Sequence, residues 1–292
     1  MAYPQGQGAS LDSRPLLRSA IATLQLAGID DPHLDAELLL AAAVNLTRTQ
    51  LLTSPPTLDD TQSAHFAAML ASRAARVPLA YILGRREFYS LEFEVNSEVL
   101  IPRPETETLV TAALKYIGDR QGLRILDLGT GSGAIAIALA VHARSASLVA
   151  TDLSPSALTV ARGNADRLGV TPQIEFVLAD CWSVLEPHAS IGRFDLIVSN
   201  PPYISEAELA TLEPEVCNYE PRLALTPGSD PLSFYRRIAA GLTDHLASGG
   251  ALIVELGYGQ AHAVAEIFRE IGRGTVTLID DLAGVPRVLE AH

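Results

Sequence analysis

The 292-residue chain has one lysine (Lys115), two cysteines, two methionines and one tryptophan, and aromatic residues make up only 5% of it. Cys181 and Cys217 are too few for a disulfide scaffold or a four-cysteine zinc site, and they point to a reducing cytoplasm. The seven histidines show no paired ligand spacing, so no metal is expected. Apolar runs such as Ala134–Val141 stop far short of the ~20 residues a membrane span requires. Met1–Ser10 has neither a charged n-region nor an apolar h-region, so no secretory leader is expected. Basic charge is scarce as well: 21 Lys+Arg stand against 34 Asp+Glu, a formal charge of −13. That balance argues against indiscriminate binding to nucleic acid, which needs lysine and arginine to neutralise phosphates. A Walker lysine and a Gly-x-Ser-x-Gly elbow are both missing, which removes two large enzyme classes.

What is present is ordinary for a folded protein, at 48% hydrophobic and 19% charged. The length suits roughly two domains at about 150 residues each. Residues 1–84 read as a small helical bundle. Leu16, Leu17, Ala20, Ile21 and Leu24 recur at helical spacing before Gly28, and further helices are expected over 34–44 and 57–76, ended by Pro78. Arg73, Arg76, Arg85 and Arg86 cluster here; a solvated helix end is favoured over a contact surface for an acidic or RNA-bound partner. Residues 85–100 alternate through Phe88, Leu91, Phe93 and Val95 as a hairpin linker, with Phe88 and Tyr89 expected to pack at a hinge.

From 101 to 292 strands alternate with helices. Strands are expected over 123–128, 147–151, 174–178, 194–199 and 251–256, with a closing hairpin over 275–279 and 285–289 turning at Gly284. Ser154 is a good N-cap for a helix beginning at Pro155. This rhythm predicts an α/β fold, a mostly parallel sheet covered on both faces, with ligands at the carboxyl ends of the strands.

Two loops at such ends carry chemistry. Gly129-Thr130-Gly131-Ser132-Gly133 follows the first strand; its glycines let the chain turn tightly and let a ligand approach the backbone and the free N–H groups of the next helix. Gly129, Gly131 and Ala134 satisfy a dinucleotide pattern equally well. Asp152, ending the second strand, suits a ribose diol, and Asp180, after the third, an adenine amino group; capping of the following helix is the plain alternative for both. After the fourth strand comes Asn200-Pro201-Pro202-Tyr203. Two prolines hold this stretch extended, leaving the Asn200 side-chain oxygen and the Pro201 carbonyl as acceptors for both N–H bonds of one planar nitrogen. Such a site localises the nitrogen lone pair toward an electrophile and works mainly by positioning, with Tyr203 as an aromatic wall near a cationic sulfonium.

Asp127–Gly133 followed by Asn200–Tyr203 resembles the class I S-adenosylmethionine-dependent methyltransferases that act on planar nitrogens. Together with Val99–Glu107 and Glu220-Pro221-Arg222, these motifs resemble the HemK/PrmC family, protein-(glutamine-N5) methyltransferases of peptide chain release factors. The resemblance implies a Rossmann-like seven-stranded sheet, a partner-recognition role for residues 1–84, and conversion of S-adenosyl-L-methionine to S-adenosyl-L-homocysteine. It also implies methylation of the Gln in a release factor's Gly-Gly-Gln loop. Gly129, Thr130, Gly131, Ser132, Gly133, Asp152, Asp180, Cys181 and Asn200 are then expected to hold the cofactor, and Asn200 to Tyr203 the glutamine amide. Cys181 stands where relatives commonly carry an aromatic residue, and Trp182 follows; either is a candidate for the adenine, while Trp182 also suits a core position. Pro104 suits a helix start with Glu105 and Glu107 in its first turn. The resemblance adds a wall over the site, ordered by Arg103.

Four other functions use parts of this pattern. An adenine-N6 DNA methyltransferase shares the Asn-Pro-Pro-Tyr chemistry but needs a basic target-recognition region. A nicotinamide-dependent dehydrogenase leaves Asn200–Tyr203 without a role, and a non-catalytic scaffold predicts no methyl transfer. A paralogue modifying a ribosomal-protein glutamine is disfavoured by the Arg103-Pro-Glu-Thr-Glu107 run.

Overall fold

The computed structural model describes residues 11–183 and 192–292; the leader reading of Met1–Ser10 lies outside them. Among the described residues two compact units emerge: 11–84 with Pro214–Tyr219, and 85–183, 192–213 and 220–292.

The smaller unit is helical, with helices Ser13–Leu26, Pro32–Ala43, Arg48–Thr53, Asp60–Ala74 and Leu79–Leu83. Local chemistry sets their starts. Asp31 caps the second helix through the Leu34 N–H, so it begins at Pro32, two residues before the hydrophobic pattern does. Thr47 with Gln50 and Asp59 with Gln62 form reciprocal capping boxes. Leu24, Leu39, Leu40, Leu58 and Phe66 are buried together as the core.

Two arginines of the cluster are spent inside this unit. Arg73 is buried and donates to Asp35 at 2.6 Å and to Glu215 at 2.9 Å, while Arg76 pairs with Glu215 at 2.6 Å. Neither residue matches a solvated helix end or an open contact surface. Arg85 instead faces Glu92 across its own hairpin at 3.3 Å.

The larger unit is built on seven strands: β1 (Arg124–Leu128), β2 (Ser147–Asp152), β3 (Ile174–Leu178), β4 (Phe194–Ser199), β5 (Leu246–Glu255), β6 (Val276–Asp280) and β7 (Pro286–Ala291). Their order is β6-β7-β5-β4-β1-β2-β3. Strands β1 to β5 run parallel, and β7 and β6 add an antiparallel edge. This is the Rossmann-like, seven-stranded α/β sheet expected above. Strand order reverses between β1 and β4, and the register Leu128↔Ser199 and Ser199↔Val254 brings Gly129, Asn200 and Glu255 to one level past that switch point.

The hairpin Arg85–Phe88 and Leu91–Glu94 belongs to this unit, with Phe88 and Phe93 in its core. Its turn puts Tyr89 and Ser90 at φ +51° and +60°, a conformation that normally selects glycine or asparagine. The Glu107 carboxylate holds the turn by accepting from the Tyr89 N–H at 2.8 Å.

Candidate active site

A cavity of about 630 Å³ opens at the carboxyl ends of β1, β2 and β4, within the size range of small-molecule sites. Gly129, Gly131, Asp152, Asp180, Cys181, Asn200, Pro201 and Pro202 all line it. Val99 and Leu100, from the stretch before Pro104, line it too.

The glycine loop is shaped from beneath. Gly129, Gly131 and Gly133 have φ of +76°, +55° and +83°. A Cβ on Gly133 would meet Ile137 Cδ1 at 2.7 Å and Ala161 Cβ at 3.2 Å, so that glycine serves helix packing. A Cβ on Gly129 or Gly131 would meet nothing within 4 Å. Those two lie on the cavity, so their missing side chains leave the backbone approachable from it. Thr130 and Ser132 are buried away from the cavity. The Thr130 hydroxyl donates to Asp127 at 2.7 Å, and the Ser132 carbonyl accepts from Asn164 at 2.9 Å. Asn164 also bonds Glu94 in both directions, tying the hairpin to the loop. Burial pushes the Asp127 carboxyl up to about 7, against the lowering effect of the Thr130 and Ala136 donors. Its second oxygen is buried with no partner among the described residues.

Asp152 accepts from the Gly131 N–H at 2.8 Å and from the Ser154 N–H at 2.9 Å. Burial raises its pKa despite these bonds. The capping role falls to Ser154, which accepts from the Ala157 N–H. Asp152 therefore anchors the glycine loop while facing the cavity, where its remaining lone pairs can accept from a diol. Asp180 pairs with Arg237, a lining residue that neither motif signals.

Cys181 lines the cavity at φ +54°, a sparsely populated conformation for a residue with a Cβ. Burial pushes its thiol up to about 11, so it is no nucleophile at neutral pH. Trp182 turns elsewhere. Its indole N–H donates to the Arg237 carbonyl at 2.8 Å, and its ring stacks on His245 with centroids 4.5 Å apart. A Cβ on Gly241 would come within 2.4 Å of that indole, which explains a glycine inside the helix Ser233–His245. Of the two candidates for the adenine, only Cys181 reaches the cavity.

The Asn200–Tyr203 stretch is held by residues that sequence patterns did not single out. Asn200 Nδ2 donates to the Thr106 hydroxyl at 3.2 Å. That hydroxyl donates to Glu255 Oε2 at 2.5 Å. The Tyr203 hydroxyl donates to Glu255 Oε1 at 3.0 Å, while its carbonyl accepts from Gln260 at 2.8 Å. Tyr203 is thereby fixed beside the lining residues rather than among them. Burial raises the pKa of both Tyr203 and Glu255. Among the described residues no donor occupies Asn200 Oδ1 or the Pro201 carbonyl.

Arg103 pairs with Glu220, a buried carboxylate that also accepts from the Ile101 N–H at 3.1 Å. This contact joins the 101–107 segment to Glu220-Pro221-Arg222. Pro104 opens a single 3₁₀ turn, Pro104–Thr106, ahead of the helix Glu107–Ile117. Its buried member is Thr106, between the two glutamates that the sequence emphasises. A signal for Glu255 was available: it ends the apolar run 251–254, where a lone carboxylate is costly unless it has work to do.

Comparison with known proteins adds lineage to this geometry. Residues 15–84 match the PrmC N-terminal domain, and residues 119–255 match a methyltransferase domain. The chain is 45% identical to the release factor glutamine methyltransferase of Cereibacter sphaeroides, over 94% of this chain and 96% of that one. The enzymes of the same name from Agrobacterium fabrum and Caulobacter vibrioides are 42% and 41% identical. They cover 94% and 91% of this chain and the same shares of their own. Among solved structures, the hMettl16 catalytic domain in complex with the MAT2A 3′UTR hairpin 6 superposes with a TM-score of 0.57 at 21% identity, over 76% of this chain and 81% of that one. A methyltransferase from Pyrococcus furiosus gives 0.51 at 19%, over 78% and 98%. At these identities the solved structures speak for the fold alone.

Proposed function

The chain belongs to the release factor glutamine methyltransferase family, and on that premise we propose that it transfers a methyl group from S-adenosyl-L-methionine to the glutamine side-chain nitrogen in the Gly-Gly-Gln motif of a peptide chain release factor. The observation that carries this reading is a pair of acceptors, Asn200 Oδ1 and the Pro201 carbonyl, left without a donor among the described residues on a motif whose Asn200 NH₂, Tyr203 hydroxyl and Tyr203 carbonyl are engaged.

The cavity suits the cofactor on its own terms. Gly129 and Gly131 give the backbone approach that its amino-acid portion needs, Asp152 the acceptors for a ribose diol, and Asp180 with Cys181 a rim for the adenine. When bound, the cofactor supplies an electrophilic methyl group on a sulfonium. The residues of the chain do the rest. A primary amide nitrogen is a poor nucleophile because its lone pair is shared with the carbonyl. Asn200 and Pro201 accept its two N–H bonds, fix its plane, and stabilise the positive charge that grows on it until one proton leaves to solvent. The surrounding apolar lining, including Val99, Leu100 and Pro202, excludes competing water.

Residues 1–84 act in this reading as the recognition module for the release factor, and the reaction takes place in the cytoplasm. Among the described residues no helix is long and apolar enough to cross a membrane. The net charge of −13 favours a protein amide over an adenine in duplex DNA, the other planar nitrogen this motif serves.

The decisive experiment supplies methyl-tritiated S-adenosylmethionine with a release factor and with its Gln→Ala variant. Label enters the first alone. Equal labelling of both overturns the glutamine assignment, and salt-sensitive labelling of DNA revives the alternative.

A further inference from the structure

An asparagine amide has an accepting end and a donating end, and only the accepting end can take an N–H from substrate. A neighbouring hydroxyl does not by itself decide which end points where, because a hydroxyl both donates and accepts. Here the neighbour is not free to choose. The single proton of Thr106 lies on a 2.5 Å bond to Glu255 Oε2, and an ionised carboxylate only accepts. While Glu255 is ionised, Thr106 therefore offers Asn200 lone pairs and nothing else. The Asn200 NH₂ must face Thr106, at 3.2 Å, and its oxygen must face away. The other Glu255 oxygen takes the Tyr203 hydroxyl at 3.0 Å. One buried carboxylate at the end of β5 thus sets the direction of both side-chain hydrogen bonds in the motif.

We propose that Glu255, acting through Thr106, is the positioning residue that turns the Asn200 amide so that its oxygen meets the substrate nitrogen. The inference rests on the glutamine-methylation reading above for its catalytic consequence, but the orientation itself does not. A neutral Glu255 would have to donate to Thr106 or to Tyr203 and reverse one branch of the chain. Burial favours that neutral form; Thr106, Tyr203 and the nearby Arg287 oppose it, while Glu105 adds to it. Among the described residues no cation forms an ion pair with Glu255, so the two hydroxyls are the main support of its charged form.

E255Q and T106V test this, with T106S as the conservative control. Both E255Q and T106V are nearly isosteric. E255Q places an NH₂ donor where the hydroxyls need an acceptor, and T106V deletes the relay. Each lowers kcat for release-factor methylation by about 10²-fold, the scale of losing one preorganised group. Each leaves S-adenosylhomocysteine affinity and the melting temperature near those of the parent. T106S recovers most of the turnover that T106V loses. In parallel, the side-chain ¹⁵N–¹H resonances of Asn200, assigned by their disappearance in N200D, shift in E255Q and T106V but not in T106S.

Turnover in E255Q or T106V within threefold of the parent overturns the proposal. So does a loss matched by weakened S-adenosylhomocysteine binding or by unfolding, and so do Asn200 resonances unmoved by T106V. Should the parent fail to methylate a release factor while the resonances follow the stated pattern, the functional reading falls and the orientation stands.

Discussion

Each of the two units buries ionisable groups, and two carboxylates of the larger unit contrast with the buried charges of the helical one. In the helical unit the buried charges are matched: Arg73 sits between Asp35 and Glu215, and Arg76 adds a second contact to Glu215. In the larger unit Asp127 and Glu255 are buried with no ion pair among the described residues, held by hydroxyls and a backbone N–H instead. The titration directions follow. Burial pushes Glu215 up, but its hydrogen bonds to Arg73 and Arg76 more than offset this, so it lies below the usual carboxylate value. Asp127 and Glu255 lie above it. Matched charges neutralise one another and serve the fold. An unmatched carboxylate, while ionised, imposes direction on whatever donates to it, which is what a site built by positioning requires.

Five measurements would break or sharpen that contrast. Arg73→Ala leaves Asp35 buried without its partner, and should cost about 3–5 kcal/mol of stability. The combined replacement D35N/R73M/E215Q, which removes charges together, should recover most of it in thermal unfolding. If the single and triple variants lose equal stability, the pairing is not what holds this cluster. Asn200→Ala should spare the melting temperature and reduce kcat by about 10²–10³-fold, some 2.7–4 kcal/mol of transition-state stabilisation. Retained turnover would remove it from the reaction.

Asp127 gives a pH test. Between its unfolded value near 3.8 and its folded value of about 7, the folded chain holds a proton that the unfolded chain has released. Stability therefore falls as pH rises through that window and levels off above it. D127N keeps an acceptor for Thr130 and Ala136 and cannot ionise. Its stability relative to the parent should improve by about 2 kcal/mol between pH 5 and pH 8, measured by denaturant titration without cofactor. Glu215 carries the opposite sign: its contribution is present at neutral pH and is lost on acidification through its lowered folded value. The same experiment on E215Q should show a deficit that shrinks toward low pH. The smallest effect belongs to the exposed Arg269–Glu266 pair, 2.5 Å apart with both side chains about half open to solvent. E266Q should change stability by less than about 0.5 kcal/mol, because solvent screens the pair and two flexible side chains must be ordered to make it.

Much of the α/β architecture was legible because its signals are local. The strand–helix rhythm gave the sheet, Ser154 with Pro155 gave a helix start, and Gly284 marked the turn of the closing hairpin. The helix expected over 57–76 is shorter at both ends, Asp60–Ala74, since Asp59 caps it and the chain at Arg76 adopts φ +69°. Of the loop residues, Gly129, Gly131, Asp152, Asp180, Cys181 and Asn200 to Pro202 converge on the cavity. Thr130, Ser132 and Gly133 support it from behind, because a loop this tight alternates faces and a sequence run cannot say which face a residue takes. Tyr203 reads as a wall for a ligand and Trp182 as either a wall or a core residue; their polar ends are held by Glu255 and the Arg237 carbonyl, and Trp182 packs on the core.

By itself, then, the sequence determined the fold class, the cofactor-type loop and the planar-nitrogen motif, since each is written in contiguous residues whose backbone chemistry acts locally. Only the tertiary structure decided which way the Asn200 amide points, that Arg73 is structural, and that Thr106 and Glu255 matter. Those facts depend on residues about 50 to 150 positions apart meeting within hydrogen-bond distance. The strand register that levels Glu255 with Asn200 is a property of the whole sheet.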